Sequence, residues 1–265
     1  MDSSYTWIIL IFILLFSYFI SEKFRYYSKF GIYIVICIVT SIILFPVAIL
    51  RPKNVDNLFF LSYLCRIISP LIGIEWIIEG KEYLSKNESY IVMANHQSSL
   101  DVVGMFHLWP ILRRGTAVAK EELRYAWPFG LFLWLAGVVF IPRSKGEVSR
   151  QILNKELQKR KKEKVKLWIF PEGTRRSDGK IHNFKKGGFH MALSEQIPIL
   201  PVVFSYYYFL DHEKKHFHNG KVVITVLPPV YTEGKSLKSI DDLVAEVREK
   251  MIKCFDESCP EEINA

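Results

Sequence analysis

The heptapeptide NHQSSLD, residues 95–101, places a histidine five residues before a carboxylate, with two serines between them. His96 is a candidate base and Asp101 its candidate partner. A carboxylate that accepts from one imidazole nitrogen fixes the tautomer and leaves the other nitrogen to take a proton. Five residues of α-helix turn through about 500°, so the two side chains cannot share one helical face. His96 must then lie in the turn before a helix, with Ser98 or Ser99 at the N-cap and Asp101 in the first turn. The same spacing also reads as a capping box, Ser98-x-x-Asp101, beside an incidental histidine. The heptapeptide by itself supports both readings. Neither serine sits in a Gly-x-Ser-x-Gly elbow, so a catalytic His96 would activate a hydroxyl carried by the substrate.

A second cluster is FPEGTR, residues 170–175, which follows the apolar run VKLWI. Gly173 allows a ligand close to the backbone. Thr174 offers a hydroxyl, and Arg175 a fork of donors matched to phosphate. Glu172 would repel a phosphate, so it is expected to orient a neighbouring Arg or Lys. An ordinary turn with a surface salt bridge is the alternative. The spacing is not that of a P-loop. Lys120 ends GTAVAK and Arg143 ends GVVFIPR. Each alone reads as a solvated charge, but strand-end cations beside a Gly-Thr-Arg turn can converge on one anion. Lys185 and Lys186 in NFKKGGF fall where a helix would begin, with free N–H groups suited to an anion. His107 and His190 lie in apolar helical stretches and read as packing residues.

The chain that must position these groups has 265 residues, enough for one sizeable domain and an appendage. Half of it is hydrophobic, and 35 Lys and Arg against 27 acids leave a net charge of +8. That balance favours anionic partners. The cation-dense run KELQKRKKEKVK, residues 155–166, has no interleaved aromatics. It reads as a solvated helix face, with anionic lipid as the alternative, and no nucleic-acid partner is expected. Cys37, Cys65, Cys254 and Cys259 form no CxxC pair, which argues for a reducing compartment. No set of residues has zinc-ligand spacing, and no metal is expected.

Two uncharged apolar runs, residues 5–20 and 30–50, stand at the N-terminus. The second is long enough to span a bilayer core and the first slightly short. MDSSY lacks a basic n-region, so a membrane anchor is the reading and a signal peptide the rival. Lys23, Arg25 and Lys29 in the intervening linker favour the cytoplasmic side. A two-span hairpin would then put the rest of the chain across the membrane, at odds with its basic charge and free thiols. One helix lying within the cytoplasmic leaflet removes the conflict. Residues 1–52 are therefore assigned to membrane-anchoring helices and 53–265 to the catalytic domain.

In that domain, β-branched and aromatic runs predict strands near 72–79, 90–94, 115–119, 137–142, 165–170, 199–205 and 221–228. Helices are predicted near 55–69, 99–109, 121–135, 147–163, 185–196 and 239–256. The alternation implies an α/β layered fold, a mixed β-sheet flanked by helices. WPFGLFLWLAG, residues 127–137, is apolar on all sides and reads as buried core, as the wall of an apolar ligand channel, or as a patch dipping into the membrane.

Together the motifs resemble the 1-acyl-glycerol-3-phosphate acyltransferase family, within the glycerolipid acyltransferases. Four blocks stand in that family's order: NHQSSLD, GVVFIPR at 137–143, FPEGTR, and IPILPVV at 197–203. The resemblance covers roughly residues 55–230, and the two apolar N-terminal runs look like those of animal endoplasmic-reticulum members. It implies transfer of an acyl chain from acyl-CoA, as co-substrate and with no other cofactor, to the sn-2 hydroxyl of lysophosphatidic acid. The products would be phosphatidic acid and CoA. His96 would be the base and Asp101 its orienting partner. Lys120, Arg143, Glu172, Gly173, Thr174 and Arg175 would form the substrate site. The expected place is the endoplasmic-reticulum membrane, with the catalytic domain facing the cytosol and the Asn87 glycosylation sequon unused. Another lysophospholipid, glycerol-3-phosphate, or a non-catalytic lipid-binding role are the alternatives.

Overall fold

The computed structural model describes residues 3–142 and 146–258. Its centre is a seven-stranded sheet. In chain order the strands are β1 (Ile74–Glu79), β2 (Ile91–Ala94), β3 (Gly115–Lys120), β4 (Val139–Ile141), β5 (Lys166–Ile169), β6 (Ile199–Phe204) and β9 (Gly220–Val226). Their spatial order is β1-β9-β6-β2-β5-β3-β4. From β6 to β4 all neighbours are parallel, whereas β9 runs antiparallel to β6 and parallel to β1. This is the mixed sheet expected from the alternation, and each of the seven predicted strands is present. The sequence separates the central strands from the edge for a physical reason. β2 and β6 are covered on both faces, so every residue in them is buried and no period-two pattern survives. β1, at the edge, alternates between buried or half-buried and exposed positions.

The helices are α1 (Ser3–Ile20), α2 (Glu22–Leu50), α3 (Asp56–Cys65), α4 (Ile68–Ile72), α5 (Lys81–Ser85), α6 (Asp101–Leu112), α7 (Phe129–Leu135), α8 (Gly146–Lys162), α9 (Gly187–Glu195) and α10 (Ile240–Glu257). Two predicted helices are each divided. The one near 55–69 breaks between α3 and α4 because Pro70 has no N–H to give the Arg66 carbonyl, and Gly73 ends α4 in the left-handed region. The one near 121–135 is a 3₁₀ turn, Glu121–Tyr125, and then α7, because Pro128 bars helix at the residue before it. The short helix α5 and the small hairpin β7 (Leu210–Asp211) with β8 (His216–Phe217) were not expected from the sequence.

The N-terminal pair departs further from expectation. The charged residues 21–29, expected to link two apolar segments, are the first turns of α2, which Ser21 caps by accepting from the Phe24 N–H. Lys29 is not a solvated flank. It is 1% exposed, and its Nζ donates to the His218 carbonyl at 3.1 Å and to Asn219 Oδ1 at 2.9 Å. It also lies 4.7 Å from the centre of the Phe217 ring. Lys29 therefore says nothing about which side of a membrane the helix starts on. α2 packs along α3, α4, α7 and the β8 end of the hairpin. Its other face exposes Ile34, Val35, Val39, Ile42 and Ile43, and the helix is long and apolar enough to cross a membrane.

The basic run of α8 and β5 is less solvated than its composition suggests. Arg160 is buried and donates to the Gly137 carbonyl and to Glu156. Lys166 is buried too, donating to the carbonyls of Lys86 and Leu112. These cations satisfy carbonyls at helix and loop ends.

Candidate active site

Asp101 opens α6 and His96 lies in the turn between β2 and that helix. His96 Nδ1 and Asp101 Oδ2 are 2.6 Å apart. The carboxylate also accepts the main-chain N–H of Gln97 at 2.9 Å and that of Ser98 at 3.2 Å. An oxygen that already takes N–H donors is an acceptor, so the proton of the short bond resides on Nδ1, the tautomer of the neutral ring that leaves the lone pair on Nε2. Half of the expected capping box is therefore real: the acidic residue reaches back to Ser98 N–H. The other half is not. Leu100 occupies the N-cap position of α6, and Ser98 Oγ accepts the Leu100 N–H at 3.4 Å rather than that of Asp101. The pair and the cap are the same object, since the turn that Asp101 ties together is what holds the imidazole.

Three further contacts fix the turn. His96 stacks on Phe170, with ring centres 3.9 Å apart and planes 16° from parallel. Asn95 exchanges two hydrogen bonds with the Phe204 backbone, and Gln97 donates to the carbonyls of Phe204 and Ser205. Glu172 accepts the main-chain N–H groups of His96 at 2.7 Å and His182 at 3.0 Å. Burial pushes its carboxyl pKa up, and these N–H groups pull it partly back. The expectation that Glu172 orients an Arg or Lys is thus corrected: it braces backbone, because a carboxylate is the acceptor that two converging N–H groups require. Tyr207 is buried near Asp101, and burial followed by that negative charge keeps its hydroxyl protonated.

His96, Lys120 and Arg175 border one cavity of about 280 Å³ at the carboxyl ends of β3 and β5. Its walls are apolar, with Tyr33 from α2, Leu61 from α3, Met105 and Phe106 from α6, and Phe129 and Leu133 from α7. The 127–137 stretch therefore supplies cavity wall as well as core, while Trp127 at its start is exposed. Arg175 is exposed, with no carboxylate in salt-bridge range among the described residues. Gly173, at φ 73°, borders a second cavity instead, and Thr174 is exposed and borders neither. Arg143 lies outside the described residues. His107 is a packing residue: its Nε2 is 2.7 Å from Ser69 Oγ, and burial lowers its pKa to about 4. His190, expected to pack likewise, lines the second cavity.

The acyltransferase family model matches residues 75–205, the span that carries His96, Asp101, Lys120, Phe170, Glu172 and Arg175. Human 1-acyl-sn-glycerol-3-phosphate acyltransferase alpha is 35% identical over 241 residues, 91% of this chain and 84% of that protein. The chain belongs to this acyltransferase family. The human beta protein is 30% identical, over 89% of this chain and 85% of its own length. The crystal structure of the 1-acyl-sn-glycerophosphate acyltransferase PlsC from Thermotoga maritima has the same fold, with a TM-score of 0.70 at 24% identity, over 89% of this chain and 98% of that one.

Against that family background, sequence reasoning missed His212. Its Nδ1 is 2.8 Å from the Tyr26 hydroxyl of α2, and its Nε2 is 3.3 Å from Ser98 Oγ. The N-terminal helix therefore reaches the histidine turn through one imidazole, and directly through Tyr33, whose hydroxyl donates to the Ser99 carbonyl at 3.4 Å. Nothing in FLDHEKKHF marks His212, because it acts through a hairpin that no periodicity announces. Asn95 and Gln97 did carry a signal: they are polar residues closing an otherwise apolar strand.

Proposed function

We propose that the chain moves an acyl group from acyl-CoA to the sn-2 hydroxyl of 1-acyl-glycerol-3-phosphate, giving phosphatidic acid and CoA. The observation that carries this reading is one apolar cavity bordered by His96, already oriented by Asp101, and by two cations. His96 Nε2 takes the hydroxyl proton as the oxygen attacks the thioester carbonyl. The tetrahedral intermediate collapses, the C–S bond breaks, and the proton passes from the imidazolium to the departing thiolate. Asp101 holds the imidazole in the basic tautomer and balances its charge while protonated. A phosphomonoester carries about −1.5 to −2 charges near neutral pH, which Arg175 and Lys120 together match. Arg143 is a third candidate for the same anion. Glu172 and Gly173 serve the shape of the turn rather than the phosphate. No metal or further cofactor enters the scheme.

The exposed apolar face of α2 adjoins the cavity wall through Tyr33, which supports entry of the lysolipid from a leaflet. The net charge of +8 and free cysteines support a catalytic domain on the cytosolic face of a membrane, and the family resemblance supports the endoplasmic reticulum as that membrane. The test is product analysis with labelled oleoyl-CoA and a panel of acceptors. Labelled phosphatidic acid from lysophosphatidic acid supports the reading. A product only from glycerol-3-phosphate or another lysolipid would reassign the acceptor, and free fatty acid alone would make the protein a thioesterase.

A further inference from the structure

The second cavity, about 400 Å³, lies on the other side of Phe170 from His96. Val118, Ala119 and Phe170 border both cavities, so the two adjoin at the carboxyl edge of the parallel strands. Its other border carries Lys185, Lys186 and His190, and no carboxylate lines it among the described residues. Lys185 is not placed there by chance of rotamer. Its stem lies across Gly173, where an added Cβ would fall 2.7 Å from Nζ and 2.8 Å from Cε. The glycine of FPEGTR thus lets a lysine lie flat on the turn. α9 also begins at this border with no capping side chain, which leaves further N–H donors there.

We infer that this cavity receives the phosphorylated nucleotide arm of the acyl donor. The inference rests on the acyl-CoA reading above. In that reading the acceptor's phosphate occupies Arg175 and Lys120, and acyl chain fills the apolar walls of the first cavity. The thioester must lie at His96, so the pantetheine arm has to leave the first cavity with a diphosphate and a ribose phosphate at its far end. These anions need cations that the acceptor has not taken. Lys185 and Lys186 are such cations, on the cavity that adjoins the first. Lys186 is exposed and pairs with Asp241, an exposed and therefore displaceable partner.

The experiment compares oleoyl-CoA with oleoyl-pantetheine, which keeps the thioester and lacks the nucleotide. Each donor is titrated against wild type, Lys186→Met, and the double variant Lys185→Met, Lys186→Met. Methionine keeps an unbranched stem across Gly173, and melting temperatures check that each variant folds. The expected result is a KM for oleoyl-CoA raised roughly ten- to a hundredfold in the double variant, as befits lost charge-assisted bonds. The penalty should vanish when the donor is oleoyl-pantetheine. An unshifted KM for oleoyl-CoA, an equal rise for both donors, or a rise in the KM for lysophosphatidic acid instead would overturn the assignment. Wild-type protein that makes no product from oleoyl-CoA would remove the donor reading itself, and the inference with it.

Discussion

Glu172 Oε1 accepts the main-chain N–H of His96 at 2.7 Å, across 76 residues of sequence. Arg176 N–H returns the contact, donating to the His96 carbonyl at 3.0 Å. The FPEGTR turn and the histidine turn are therefore one rigid piece, joined through backbone on both sides of the imidazole.

Glu172→Gln tests that joint. A glutamine amide has one acceptor oxygen where the carboxylate has two, so one of the two N–H groups meets a donor. Stability should fall by about 1–3 kcal/mol. Turnover should fall by up to ~10²-fold, because a small displacement of a positioned base is costly. Thermal melts read the first effect and steady-state kinetics the second. A destabilised variant with wild-type kcat would show that the brace serves folding alone.

Asp101→Asn separates charge from shape. The amide NH₂ can donate to Nδ1, which moves the imidazole proton to Nε2 and removes the base. We expect kcat to drop about 10²–10⁴-fold, the usual worth of general-base catalysis. Release of CoA thiol measures it. Activity close to wild type would mean that the Asp101 carboxylate neither sets the tautomer nor balances an imidazolium charge in the reaction.

Arg175 and Lys120 offer a charge test that spares the base. Arg175→Ala should raise the KM for lysophosphatidic acid roughly tenfold or more. Arg175→Lys should recover part of the loss, since lysine restores charge but not the two-pronged fork. Initial rates across a range of acceptor concentrations distinguish the two. If the acceptor KM stays put in Arg175→Ala, the phosphate binds elsewhere.

His212 gives a pH signature. It faces Tyr26 and Ser98, with Lys215, Arg175, Asp211 and Asp101 as charged neighbours. Burial, then the charges of Lys215 and Arg175, hold its pKa below the ordinary 6.5. The folded chain therefore binds fewer protons at this ring than the unfolded chain does. Its contribution to stability is present above about pH 6.5 and is lost as the pH falls toward the lowered value. Melting temperatures of wild type and His212→Gln should differ most near neutral pH and converge on acidification. A gap that widens in acid would contradict the assigned direction.

Much of this arrangement was legible in the chain. All seven strands of the main sheet carry apolar runs that need only burial to become strands, and the motif turns fall at their carboxyl ends. What stayed hidden has two causes. A side chain that works on backbone rather than ligand, such as Glu172, looks like any polar loop residue until the two turns are brought together. Charges such as Lys29 and Arg160 look solvated because composition cannot reveal a buried carbonyl that needs a donor. His212 combines both problems, since its hairpin has two-residue strands and its partners lie on α2 and in the histidine turn.

Lys29 also has a mechanical meaning. Sliding α2 by one turn would carry its ammonium about 5.4 Å from the two oxygens that hold it, too far for any rotamer to recover both bonds cheaply. The helix cannot ride up and down its groove. It works as a depth gauge: wherever its apolar flank settles in lipid, the imidazole of His96 is carried to one set height above that flank.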